Sequence, residues 1–205
     1  WFELAAFIHE NQSKYQGVVI LHGTDTLPFT SAALSMLLSP TRIPIVLTGA
    51  QTPLANLRSD ARQNFISALE IAATAPKELK NRVLVLFHDE LFLGSRVRKK
   101  SAVDFAAFES PRFPVLATVG SDVVYHSIVQ HLPKLKRKVS FLTEFKGKGR
   151  TALPQILHAQ LTPGFCLDLF SDLDPLDSIL LTLYASGTAP TEQPGFLDFL
   201  SNAAD

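Results

Sequence analysis

The sequence predicts an α/β fold, a parallel sheet flanked by helices on both faces, followed by a second, smaller and incomplete α/β domain. Three observations carry this expectation. Gly17 to His22, Pro44 to Gly49 and Val83 to Phe87 are short apolar runs, as expected of strands buried on both faces. Helix-like patterns lie between them, so strands and helices alternate. The first two runs end in small polar turns, His22-Gly23-Thr24-Asp25-Thr26 and Thr48-Gly49-Ala50-Gln51-Thr52-Pro53. Open α/β sheets keep their chemistry at such strand ends.

Each element follows in order. Trp1, Leu4, Ala5 and Ile8 fall on one helical face, so the chain opens on an amphipathic helix ending near Gln12 to Tyr15. A buried strand over Gly17 to His22 leads to a helix from about Thr26 to Leu38, stopped before Pro40. Pro44 suits the first position of the next strand, where a missing donor is tolerated. Ser59 or Asp60 can cap a helix to Ala73, with Phe65, Ala68, Leu69, Ala72 and Ala73 as its apolar stripe. Val83 to Phe87 is the third buried strand, and Val115 to Val119 reads as a fourth. Right-handed crossovers would gather His22 to Thr26, Gly49 to Pro53 and the loop after His88 on one sheet edge.

The composition narrows the possible functions. The 205 residues are 46% hydrophobic, which is enough to bury a core and excludes wholesale disorder. Lys+Arg and Asp+Glu both number 19, so net charge shows no footprint for nucleic acid or an anionic membrane. No uninterrupted apolar stretch approaches the roughly 20 residues of a membrane helix. The single cysteine, Cys166, excludes an internal disulfide and a cysteine-rich metal site; its apolar context predicts a small buried hydrophobe. The chain begins at Trp1 rather than Met, so its own N-terminus is expected upstream.

Lys134 to Arg150 breaks the alternating pattern with basic residues and Lys146-Gly147-Lys148-Gly149-Arg150. No phosphate-loop pattern follows a strand there, so it reads as a linker. The expected organisation is therefore a domain over 1–145, a linker over 146–153, and the start of a second domain over 154–205. In that last part Ile156 to Leu161 and Ser178 to Tyr184 read as strands and Gly195 to Ala203 as a helix. About 50 residues is less than usually folds alone.

Three loops could bring chemistry to one edge. Thr24, Asp25 and Thr26 are good helix caps, and caps alone would explain them. At a strand end, however, a hydroxyl can act as nucleophile and a carboxylate can pair with an ammonium. Gly94-Ser95-Arg96-Val97-Arg98-Lys99-Lys100-Ser101 is by default an exposed basic loop, yet it follows the third strand and can supply a lysine as proton acceptor. Gly49 and Ala50 permit close backbone approach to a ligand, and Gln51 could be purely structural. His22 and His88 sit at strand ends without ligand spacing and are expected to be satisfied structural histidines. H-E-x-x-H, G-x-S-x-G and G-x-G-x-x-G are all absent from the sequence, leaving metal, serine-hydrolase and dinucleotide readings unsupported.

Together these segments resemble the bacterial-type L-asparaginase family, especially its cytoplasmic type I branch. The resemblance rests on His22-Gly23-Thr24-Asp25-Thr26, Thr48 to Leu54, Ser59-Asp60 with Asn64, Gly94 with Arg96 and Lys99, and Phe105 to Pro111. Thr162-Pro163-Gly164 and Tyr184 to Pro190 are looser matches. The resemblance implies cofactor-free hydrolysis of L-asparagine to L-aspartate and ammonia through a threonine acyl-enzyme. By match, Thr24, Asp25 and Lys99 would be catalytic. Gly23, Thr24, Asp25 and Ala50 would hold the small-molecule substrate, with no metal, nucleic acid or membrane involved.

It also implies a cytoplasmic homodimer or homotetramer. The family's Thr-Gly-Gly-Thr, which carries its other nucleophile, does not occur in this sequence, and Thr188 stands where the family has an asparagine. The expectation is therefore a fragment without useful activity in isolation. Two alternatives share these motifs: the glutamine-deamidating subunit of a tRNA-dependent amidotransferase, and a catalytically silent amino-acid-binding paralogue.

Overall fold

The computed structural model describes residues 1–38, 41–135, 155–163, 165–167 and 178–202. The chain divides into two compact units, Trp1–Lys146 and Gly147–Asp205. The expected linker, 146–153, lies outside the described residues, as do most of the basic run and Gly164.

Unit 1 is built on a six-stranded sheet in the order β1-β2-β3-β4-β7-β8. β1 (Val18–Leu21), β2 (Ile45–Thr48) and β3 (Val83–Phe87) are mutually parallel. β4 (Glu90–Leu93), β7 (Ala117–Val119) and β8 (Val123–Tyr125) continue the sheet antiparallel. A separate two-stranded ribbon pairs β5 (Arg98–Lys99) with β6 (Phe108–Glu109). The helices are α1 (Phe2–Asn11), α2 (Leu27–Leu37) and α3 (Ala61–Thr74). This is the α/β architecture the sequence predicts, with an antiparallel half added to the parallel one.

The two faces are separate cores. Ile45, Leu47, Val83, Val85 and Phe87 pack with α1, α2 and the ribbon residues Ala107 and Phe108. Val46, Leu84 and Leu86 point the other way, onto Ala68, Ile71 and Ala72 of α3. Strand alternation produces this division, since neighbouring residues face opposite sides. β2 is wholly buried, with Ile45, Val46 and Leu47 all at 0% exposure. Each such side chain contributes about 1.5–3 kcal/mol of hydrophobic stabilisation.

The helix faces revise the expected handedness. β1 to β2 and β2 to β3 each move one strand in the same direction across the sheet. Their connecting helices, α2 and α3, lie on opposite faces. Two parallel crossovers of that kind have opposite hands, so one of them is left-handed, against a preference of about 98% for right-handed connections.

Other expectations also change. Among the described residues β1 lies at the edge of the sheet, and Leu21 is 65% exposed. The stripe that α3 buries is Asn64, Ser67, Ala68, Ile71 and Ala72, whereas Phe65 and Leu69 are exposed. The helix is rotated to bring polar Asn64 to the sheet edge, where its side chain is used. β4 has no counterpart in the sequence reading. It pairs with β3 through a two-residue turn whose His88 and Asp89 take φ of 45° and 63°, as a tight hairpin turn of this kind requires.

Unit 2 contains the parallel pair β9 (Ile156–Gln160) and β10 (Ser178–Thr182) and the short helix α4 (Phe196–Asn202). Phe196, Ala159 and Leu161 are buried, while Ile156, Leu180 and Leu183 are exposed. Cys166 is exposed, not the buried hydrophobe its neighbours suggested. Local apolar composition does not bury a residue unless an element packs over it.

Candidate active site

The turn after β1 and the turn after β2 meet at the C-terminal edge of the parallel strands. Gly49 is required there because a Cβ on it would lie 2.2 Å from the carbonyl oxygen of His22. The amide of His22 in turn donates to the carbonyl of Thr48 at 2.8 Å. The Thr48 hydroxyl donates to the Leu86 carbonyl at 2.8 Å, so the ends of β1, β2 and β3 are joined across the edge.

Thr24 and Asp25 project from the first of these turns. Neither they nor Thr26 cap α2, because the helix N-cap, Thr26, makes no side-chain capping bond. Their side chains face Lys99 instead. The Lys99 ammonium donates to Thr24 Oγ1 at 2.7 Å and to Asp25 Oδ1 at 2.7 Å. Lys99 is largely buried and Asp25 is 90% exposed at the side chain. An ion pair so open to water contributes at most about 1 kcal/mol to stability, so its effect is chiefly to orient the ammonium.

Lys99 reaches this edge by an unexpected route. β4 runs back down from the His88–Asp89 turn, which places Gly94 beside Val83 at the start of β3, its amide 2.9 Å from the Val83 carbonyl. The Ser31 hydroxyl of α2 holds the Gly94 carbonyl at 2.7 Å. The chain then climbs again through β5, so position after the third strand is not what delivers the lysine. The ribbon does so, anchored by buried Phe108, whose ring packs edge-on against Phe87 at 4.7 Å. Arg98 also pairs with Glu109 at 2.7 Å across the ribbon.

The turn after β2 is fastened by its main chain. Asp60, 9% exposed, accepts from the Gln51 amide through both oxygens at 3.1 Å and from the Thr52 amide at 3.2 Å. Asn64 donates to the Gly49 carbonyl at 2.9 Å and to Asp60 Oδ2 at 3.1 Å, and accepts from the His88 amide at 3.1 Å. Ala50, partly exposed, sits between these held groups. Of the two expected caps, it is Ser59 whose Oγ accepts a helix amide, that of Ala61 at 3.1 Å, while Asp60 makes no side-chain capping bond. The backbone amides that the Asp60 carboxylate accepts lie eight and nine residues back in the chain.

The two histidines differ. Trp1 Nε1 donates to Thr30 Oγ1 at 2.8 Å, which leaves the Thr30 hydroxyl hydrogen to point to His22 Nε2 at 2.9 Å. A neutral His22 therefore carries its proton on Nδ1 and donates to the Gly23 carbonyl at 2.7 Å. His22 is a satisfied structural histidine that steadies the residue before Thr24. His88 is an exposed turn residue held through its backbone, which the expectation of a satisfied ring did not anticipate. Among the described residues, no group of three or more His, Cys, Asp or Glu side chains is arranged to hold a metal ion. None of their helices is long and apolar enough to cross a membrane.

Comparison with known proteins gives consistent results. Residues 1–130 match the family model described as asparaginase, N-terminal. L-asparaginase 1 of Escherichia coli (strain K12) is 33% identical over all of this chain, which covers 58% of that protein. The 60 kDa lysophospholipase of Mus musculus is 35% identical over all of this chain, which covers 35% of that longer protein. The crystal structure of L-asparaginase I from Vibrio cholerae superposes with a TM-score of 0.79 at 35% identity, covering 99% of this chain and 59% of that one.

Proposed function

This chain belongs to the asparaginase family, and on that premise we propose that the whole protein hydrolyses L-asparagine to L-aspartate and ammonia with Thr24, Asp25 and Lys99 in its active site. The observation that carries the reading is the convergence of Lys99 Nζ on Thr24 Oγ1 and Asp25 Oδ1, both at 2.7 Å. A hydroxyl, a cation and a carboxylate from two distant parts of the chain meet at the edge where the turn after β2 presents its backbone.

Thr24 is the nucleophile in this reading. Its oxygen attacks the side-chain amide carbon, the C–N bond breaks, ammonia leaves, and the resulting ester is hydrolysed by water to regenerate the hydroxyl. Lys99 donates to Thr24 in the resting arrangement, so it acts first as a positive charge that stabilises charge developing on that oxygen. Accepting the Thr24 proton requires Lys99 to lose one beforehand, and Asp25 is the adjacent acceptor. Asp25 Oδ2 has no partner among the described residues and can receive the substrate's ammonium. The backbone around Ala50, held by Asp60 and Asn64, lines the amide pocket.

The test is ammonia release from L-asparagine by the whole protein. Thr24→Ala is expected to lower kcat by three orders of magnitude or more, with binding of L-aspartate retained. Undiminished turnover by this variant overturns the assignment of Thr24. The name of the mouse relative supports a second substrate class, since an ester carbonyl could be attacked by the same hydroxyl. Fatty-acid release from a lysophospholipid, without ammonia release from asparagine, would favour it. Assembly as a homodimer or homotetramer belongs to the same proposal, and light scattering tests it.

A further inference from the structure

We propose that Gln51 is a positioning residue for Lys99: its side-chain amide fixes the tip of the β5–β6 ribbon and so sets the ammonium against Thr24. The inference rests on the reading of Thr24, Asp25 and Lys99 as the site, and it adds the group that holds the third member in place.

Lys99 stands on a ribbon of two paired positions, Arg98 with Glu109 and Lys99 with Phe108, beyond which the amides of Lys100 and Ser101 donate to the Ala107 carbonyl at 2.8 and 3.3 Å. The ribbon's closing loop begins directly after Lys99. Ser101 Oγ accepts the amides of Val103 at 3.2 Å and Asp104 at 3.0 Å, which folds this stretch into a tight turn. The turn presents the carbonyls of Ser101 and Asp104 to a single donor. Gln51 Nε2 is that donor, at 3.4 Å and 3.2 Å, reaching across 50 and 53 residues of sequence.

Gln51 can act as a strut because its own backbone is held. Its amide lies on both oxygens of buried Asp60, which Asn64 braces in turn. Buried Asp60, the Gln51 main chain and side chain, and the 101–104 turn therefore form one continuous connection. The connection joins the β2 strand end to the residue two places beyond Lys99. It also requires a particular chemistry, since two carbonyl oxygens need a donor. Glutamate has the same shape as glutamine, but when ionised it can only accept and would face those oxygens with like charge. A protonated glutamic acid would donate again.

Hydrogen exchange read by mass spectrometry on the 205-residue chain tests this directly. At neutral pH, Gln51→Glu is expected to speed exchange across 98–109 about tenfold, with β2 and β3 unchanged. Relative to wild type at each pH, the effect should shrink as the pH falls toward the ordinary glutamate range near about 4.3. Gln51→Met, which lacks both donor and charge, should give a smaller rise that does not depend on pH. In the whole protein, kcat for L-asparagine should fall in Gln51→Glu and recover on acidification relative to wild type.

Exchange across 98–109 that matches wild type in both variants overturns the proposal. So does a Gln51→Glu effect that is independent of pH. If Gln51→Glu unfolds the chain, shown by faster exchange in β2 and β3 as well, Gln51→Met decides. Absence of asparagine turnover in the wild-type protein would count against the catalytic reading, while the exchange result would still judge the strut.

Discussion

Two turns at the same sheet edge use their polar residues in opposite ways. After β1, Thr24 and Asp25 leave the amides of α2 uncapped and direct their side chains to Lys99. After β2, the Asp60 carboxylate accepts backbone amides and the Asn64 amide nitrogen donates to the Gly49 carbonyl, and what the turn offers is its main chain. One turn presents side chains to a lysine from a distant ribbon, and the other presents a braced backbone. A capping bond would hold the Thr24 or Asp25 oxygen where the helix needs it, away from Lys99. A turn that packs its main chain against two strand ends needs its buried amides and carbonyls satisfied, since each unmet group costs about 1–3 kcal/mol.

The contrast can be broken most forcefully at Gly49. In Gly49→Ala the added methyl would meet the His22 carbonyl at 2.2 Å, a backbone atom that cannot swing aside. We expect a loss of about 3 kcal/mol or more, read from the urea midpoint by the fluorescence of Trp1, the sole tryptophan and part of unit 1. A loss below about 1 kcal/mol would mean the strand ends are not the tight joint described.

Asp60→Ala comes next. It strips the buried acceptor from the Gln51 and Thr52 amides and should cost about 2 kcal/mol by the same measurement. Thr26→Ala should have the smallest effect. A working cap of this type is worth about 1 kcal/mol, but Thr26 makes no capping bond, so the change should stay within about 0.5 kcal/mol. If Thr26→Ala were as costly as Asp60→Ala, the turn after β1 would be an ordinary cap and the contrast between the two turns would fail.

A second contrast lies in the two parallel sheets. In unit 1, β2 and β3 are covered on both faces and every residue of each is buried. In unit 2, β9 and β10 show the same parallel pairing, yet most of their residues are exposed or only partly buried. Parallel strands are normally covered on both faces, and residues 168–177 between β9 and β10 lie outside the described residues.

Much of unit 1 was legible because its signals are local. Continuous apolar runs marked β2 and β3, Pro44 marked a strand start, and periodicity located α2 and α3 within a residue or two. The turn residues Thr24, Asp25, Gly49 and Ala50 stood out because small polar and glycine-rich segments interrupted those runs. The stripe of α3 was misassigned because hydrophobicity favours Phe65 and Leu69, whereas the helix turns inward the residues with partners, Asn64 among them. β4 was missed because Glu90 to Leu93 follows β3 after only two residues, and both of them are non-glycine residues in a left-handed turn.

The sequence by itself determined the alternation of strands and helices, the position of the polar turns and the family to which the chain belongs. These depend on the order of residue types along a few consecutive positions. Only the tertiary structure decided that the two crossovers have opposite hands and that Lys99 arrives by a descending strand and a returning ribbon. It also decided that Asp60 braces the turn before it rather than the helix after it. Each of these depends on contacts between residues far apart in the chain. Local propensity has no term for such contacts, because their free energy exists only once the elements have packed.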